Sequence, residues 1–314
     1  MFKSVKYHIL YRKQKGERKM KFIAKSAFIK ENIMDKVNKG SDGIEIQLLN
    51  PNNEICTCKD YKIENYLRNC NIVSIHTPLD NKTDCNYNIE TPEGQKELVK
   101  SLVLADKFSQ FYGQRMNVVC HMELSIKQQI ELGIYEQVKN FLSENLDKYK
   151  NIDISLENVT IRHSGVYDNT VLVREINKEN FGTTLDICHA LMSKSITGFL
   201  TDKGKCESSY YKYETLTSAF KYNSGVLKWI HLNNAANFGQ GYGIGKGHGC
   251  IFNKDNINDM NTLIKVLNYV KDEKLENICI EVYEEDYLNS KNFLQTKNLC
   301  EDILSGNNIY KFSA

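Results

Sequence analysis

A chain of 314 residues has room for two average domains, and equally for one α/β barrel. Its 41% hydrophobic content supports a large core, and three prolines with 18 glycines exclude a linker-rich or collagen-like chain. A net charge of +2 supplies no broad basic field for nucleic acid.

Residues 1–19 form a basic extension. Within residues 1–21, eight lysines and arginines stand against Glu17 alone, which suits either a solvated arm or a nucleic-acid contact. From residue 20 onward, apolar β-type runs alternate with helical patterns. Strands are predicted over residues 22–25, 43–49, 72–76, 118–121, 154–157, 184–189, 227–232 and 278–282. Between them, Thr91 caps a helix with Pro92 at its first position, and Leu98, Leu102, Ala105 and Phe108 line one face before Gly113 stops it. Ile130, Ile134, Val138, Phe141 and Leu142 mark a second helix. Met260, Leu263, Leu267 and Val270 mark a third, with Asp259 as its cap. Eight strands separated by helices call for a parallel sheet, since parallel neighbours need a crossover.

The ten cysteines are scattered, Cys56 and Cys58 lack the matching pair of a zinc ribbon, and no secretory leader is visible. No apolar run approaches the roughly 20 residues of a membrane span. The expectation is a reduced, cytoplasmic protein.

Six of the predicted strands end in a side chain that strand physics does not require: His76, His121, Glu157, Asp186 with His189 three residues on, His231 and Glu281. An open sheet gathers its ligand at one crevice, whereas a closed barrel brings every strand's carboxyl end to one mouth. The predicted fold is therefore a single (β/α)8 TIM barrel over residues 20–314. Four of the seven histidines lie at or just past strand ends beside three carboxylates. Imidazole with carboxylate suits manganese, zinc, cobalt or iron, while magnesium prefers oxygen alone. A divalent ion also removes the desolvation penalty of burying those carboxylates.

Several segments carry a family resemblance: Ser74-Ile75-His76-Thr77-Pro78, Leu156-Glu157-Asn158, Leu185-Asp186-Ile187-Cys188-His189-Ala190, Ile230-His231-Leu232-Asn233-Asn234 and Ile280-Glu281-Val282. Their order and spacing resemble the xylose isomerase-like TIM barrels, which include sugar and sugar phosphate isomerases and epimerases together with endonuclease IV-type repair enzymes. For the first branch, the resemblance implies one divalent ion, manganese or zinc foremost and cobalt or magnesium after them, held by Glu157, Asp186, His231 and Glu281. Glu157 and Glu281 would also transfer the substrate proton through an enediolate, and His189 would hold a substrate oxygen. For the second branch, it implies a further site at His76 and His121 and incision of DNA at abasic sites.

The chain departs from the endonuclease pattern. No aspartate precedes His248 as an Asp-x-His element, and Asn234 stands where an aspartate is usual. The glycine-rich residues 239–249 resemble the loop that borders substrate in these barrels, with Lys246 and His248 as candidate phosphate or carboxylate contacts. Trp229 is expected to pack outward under a helix, and Glu45 to face the substrate. A third reading is a barrel that binds a metabolite without chemistry. A homo-oligomer is the common default for such chains.

Overall fold

The computed structural model describes residues 20–48, 65–80, 85–159, 165–192, 213–235, 249–286 and 288–306. Residues 1–19, Cys56, Cys58, Lys246 and His248 lie outside them, so the readings placed on those residues stay open.

Each of the eight apolar runs forms a strand: β1 Lys21–Ala27, β2 Gly43–Gln47, β3 Ile72–His76, β4 Met116–His121, β5 Ile152–Glu157, β6 Phe181–Asp186, β7 Leu227–Leu232 and β8 Asn277–Ile280. All pair in parallel in chain order, and β1 closes on β8 with Ile23 opposite Cys279. The result is a closed eight-stranded barrel wrapped in helices. Between β3 and β4, Leu79–Asp80 and Cys85–Asn86 form a small antiparallel ribbon outside it.

Period-two alternation divides each strand. Outward residues such as Ile44, Ile75, Val118, Ile154, Leu185 and Ile230 join the large apolar layer beneath the helices. Inward residues form the barrel's own core, one tier below the strand ends. On β1, β4, β7 and β8 that tier is apolar: Ile23, Val119, Trp229 and Cys279 pack together. On its other side it is a hydrogen-bond ladder. Thr184 Oγ1 donates to Ser155 Oγ (2.7 Å), Ser155 Oγ to Asn117 Oδ1 (3.0 Å), and Asn117 Nδ2 to Ser74 Oγ (3.1 Å). Trp229 thus points into the barrel, against the outward placement expected from the sequence. It stands two residues before His231, and a strand's period puts both on one face.

The helices follow their local signals, with three corrections. The helix Pro92–Tyr112 begins at Thr91, whose hydroxyl accepts from Gly94 N (3.0 Å), and ends at Gly113 in the left-handed region. The second predicted helix is two, Ile126–Glu131 and Tyr135–Lys148, separated at Gly133 with φ +71°. Ile130 is exposed there rather than packed. The helix Ile257–Asp272 is capped by Asn256, not Asp259, which lies inside its first turn. The strand predicted to reach His189 stops at Asp186, and His189 sits on the helix Ile187–Met192. A three-residue spacing is helical, so Asp186 and His189 still share a side.

Gly94 shows how tightly the mouth is braced. A Cβ there would sit 1.7 Å from the Asn88 carbonyl oxygen, and the Asn88–Ile89 segment pairs with His121. Gly94→Ala is expected to cost about 1–3 kcal/mol by overpacking against fixed backbone. Urea unfolding checks this; an unchanged midpoint would mean the segment gives way freely.

Candidate metal centre

At the carboxyl mouth of the barrel, the structure brings Glu157, Asp186, His231 and Glu281 together, with one donor atom from each within 4.8 Å of the others. His76, His121 and Glu157 form a second such group, sharing Glu157 with the first. His231 Nδ1 lies 2.9 Å from Glu281 Oε2, 3.3 Å from Glu157 Oε2 and 3.9 Å from Asp186 Oδ2. Glu157 Oε2 also stands 3.0 Å from His76 Nε2 and 3.3 Å from His121 Nε2. Around an ion with donors at about 2.1 Å, neighbouring donors stand about 3.0–3.4 Å apart, so most of these separations suit a coordination shell.

Hydrogen placement makes the fit more specific. His76 Nδ1 lies 2.9 Å from the Thr77 carbonyl oxygen, which can only accept, so Nδ1 carries the hydrogen. In the neutral ring the Nε2 lone pair then faces Glu157 Oε2. Two lone pairs at that distance repel unless a cation or a proton lies between them. Burial, and then the Lys25 charge, push the His76 pKa below its ordinary value, which disfavours the proton. Nδ1 of buried His231 completes no well-directed hydrogen bond, although Glu281 Oε2 stands 2.9 Å away. Donors that converge at short range without hydrogen-bond geometry fit a divalent ion.

The candidate donors are fastened from behind. Asn158 Oδ1 accepts from Asp186 N (2.8 Å), and its Nδ2 donates to the Asp186 carbonyl (3.1 Å). Asn233 Nδ2 donates to Asp186 Oδ2 (2.8 Å), while its Oδ1 accepts from Cys188 N (2.8 Å). Asp186 Oδ1 accepts from His189 N (2.6 Å), and His189 Nδ1 donates to the Asn158 carbonyl (2.7 Å). Both asparagines stand inside the Leu-Glu-Asn and His-Leu-Asn segments, so the signal for them was present in the sequence.

Sequence reasoning missed Lys25. Its Nζ lies 2.7 Å from Glu281 Oε1 and 3.8 Å from Glu45 Oε1. It stands near the carboxyl end of β1, the same place that drew attention to the six other strands. Burial alone would depress its pKa, but Glu281, Glu45 and Glu157 outweigh burial and raise it, so the ammonium persists. Glu45 is fully buried, with Oε1 2.9 Å from His231 Nε2.

Comparison with known proteins concerns the fold. No family model matches the chain, and no curated protein matches it. Solved structures do. A xylose isomerase domain protein from Planctomyces limnophilus is 9% identical, with a TM-score of 0.61 over 92% of this chain and 100% of its own. A D-tagatose 3-epimerase-like protein is 15% identical (TM-score 0.56, covering 92% and 99%). An L-ribulose 3-epimerase is 12% identical (TM-score 0.58, covering 92% and 96%). The chain therefore has the fold of the xylose isomerase-like TIM barrels.

Proposed function

We propose that the protein is a divalent-metal-dependent isomerase or epimerase acting on a sugar, a sugar phosphate or a related hydroxy-ketone. The observation that carries this reading is the convergence of Glu157, Asp186, His231 and Glu281 at one mouth, with the two glutamates flanking His231 Nδ1. Those four would hold the ion. Manganese and zinc match an imidazole–carboxylate set best; cobalt and then magnesium follow. When bound, such an ion polarises a carbonyl and its neighbouring hydroxyl and so acidifies the adjoining C–H.

The chain's own residues then move the proton. One of Glu157 and Glu281 removes it from carbon and the other returns it. Return to the opposite face of the same carbon epimerises; return to the adjacent carbon isomerises. His189, whose Nδ1 hydrogen is committed to the Asn158 carbonyl, offers its other ring nitrogen to a substrate hydroxyl. The fold shared with an L-ribulose 3-epimerase and a D-tagatose 3-epimerase-like protein supports the substrate class.

Protein purified without chelator is expected to carry about one equivalent of a divalent ion, and Asp186→Ala to lose it. Equal metal in both proteins would refute the ligand set. Entry of solvent deuterium into a ketose tests the reaction, and its absence across sugar and sugar phosphate panels would favour a barrel that binds a metabolite without chemistry.

Metal affinity is also expected to rise with pH. Burial would lower the His231 pKa, but Glu45, Glu157 and Glu281 outweigh it and raise it well above 6.5. The ring of the ion-free protein therefore keeps its proton at neutral pH, and the ion must displace it. Calorimetry in buffers of different ionisation enthalpy should register that proton; an affinity flat from pH 6.5 upward would contradict the assignment.

A second reading, an abasic-site endonuclease, is favoured by the His76–His121–Glu157 group, which offers a place for another ion. Incision of a duplex bearing one abasic site, lost in Glu157→Gln, would establish it in place of the first.

A further inference from the structure

The fully buried carboxylate of Glu45, on β2, is not among the four metal donors proposed above, yet it addresses one of them directly. Its Oε1 stands 2.9 Å from His231 Nε2, while His231 Nδ1, across the ring, faces Glu281, Glu157 and Asp186. The two ring nitrogens of an imidazole direct their bonds far apart, so Glu45, the ring and the donor cluster follow one another in sequence. Neither carboxyl oxygen of Glu45 completes a well-directed hydrogen bond, and the charged group nearest to it besides His231 is Lys25, at 3.8 Å. A buried carboxylate is costly unless it has a task or a counter-charge.

We propose that Glu45 is the positioning residue of the metal centre. With an ion on Nδ1, the ring hydrogen of His231 would sit on Nε2, 2.9 Å from Glu45 Oε1, which would then accept it, fix the ring's orientation and strengthen nitrogen as a donor. Lys25 balances the added negative charge and ties it to Glu281, so β1, β2, β7 and the segment after β8 act on the ion as one unit. Glu45 thus stands behind a ligand and does not touch substrate.

This inference rests on the metal reading of the site, and the experiment separates the two. Wild type, Glu45→Gln, Glu45→Ala and Glu45→Asp are each stripped of metal and titrated with Co2+ against a competing chelator. Visible absorption is recorded, along with the thermal midpoint in excess chelator. Wild type is expected to take up Co2+ with a visible band. Glu45→Gln and Glu45→Ala should bind about 10–100-fold more weakly with a shifted band, and Glu45→Asp should recover part of the loss. Glutamine preserves size, so Glu45→Gln reports on the site even where alanine disturbs folding; a merely structural role would move the midpoint and leave the band alone. If the glutamine and alanine variants bind Co2+ within twofold of wild type with the same band, the positioning role is overturned and the metal centre stands. If wild type takes up no Co2+, both are overturned.

Discussion

On the proposed reading, replacing Glu157 with glutamine is expected to lower turnover of a sugar-type substrate by about 10²–10⁴-fold, the range of a lost proton-transfer group. Glu157 lies at the middle of the cluster: three imidazoles meet its Oε2, and His189 Nδ1 stands 3.4 Å from its Oε1. The amide keeps the shape and loses the charge, so the loss falls on chemistry and metal retention together. Metal content measured beside turnover divides the two. A variant that keeps its ion and fails to exchange deuterium has lost the proton carrier. A variant active to within threefold of wild type would remove Glu157 from the mechanism.

The largest stability effect is expected at Trp229→Ala, about 3–5 kcal/mol, because the indole fills the barrel interior under the site and its neighbours sit on closed strands that cannot collapse inward. Its Nε1 finds no hydrogen-bond partner among the described residues, so the contribution is packing alone. Urea unfolding measures the loss, and metal affinity should fall as well, since His231 lies two residues further along the same strand. A cost under about 1 kcal/mol would mean that the interior repacks, contrary to the usual behaviour of large-to-small core changes.

These two residues also show where the sequence was readable. Before their ends these strands carry mostly apolar or small uncharged residues, so a histidine or carboxylate there stands out against the run before it. His76, His121, Glu157, Asp186, His231 and Glu281 were legible for that reason, and their number argued for closure of the sheet. Which face each apolar residue occupies is harder, because both faces are hydrophobic and alternation carries no contrast. Trp229 was misplaced outward on those grounds, although its spacing from His231 held the answer. Lys25 escaped because a lysine near the end of a short first strand looks like surface. Its role depends on Glu281, which only barrel closure brings near. Asn158 and Asn233 stood inside legible segments, but their bonds to the Asp186 backbone and carboxylate depend on which strands the barrel makes neighbours. The helix from Ile187 was hidden because apolar residues resume directly after Asp186, as they would in a continuing strand.

The bond between Lys25 and Glu281 joins positions 256 apart in the chain. Donors to the proposed ion come from four points between Glu157 and Glu281, so the centre cannot exist on any nascent chain that has not released residue 281 from the ribosome. Until then, the edge of β1 has no β8 to pair with. Topologies dominated by such distant pairings fold slowly and expose strand edges while they wait. On the proposed reading, an ion would enter only a barrel that has already joined its first strand to its last, so occupancy would report closure of the barrel.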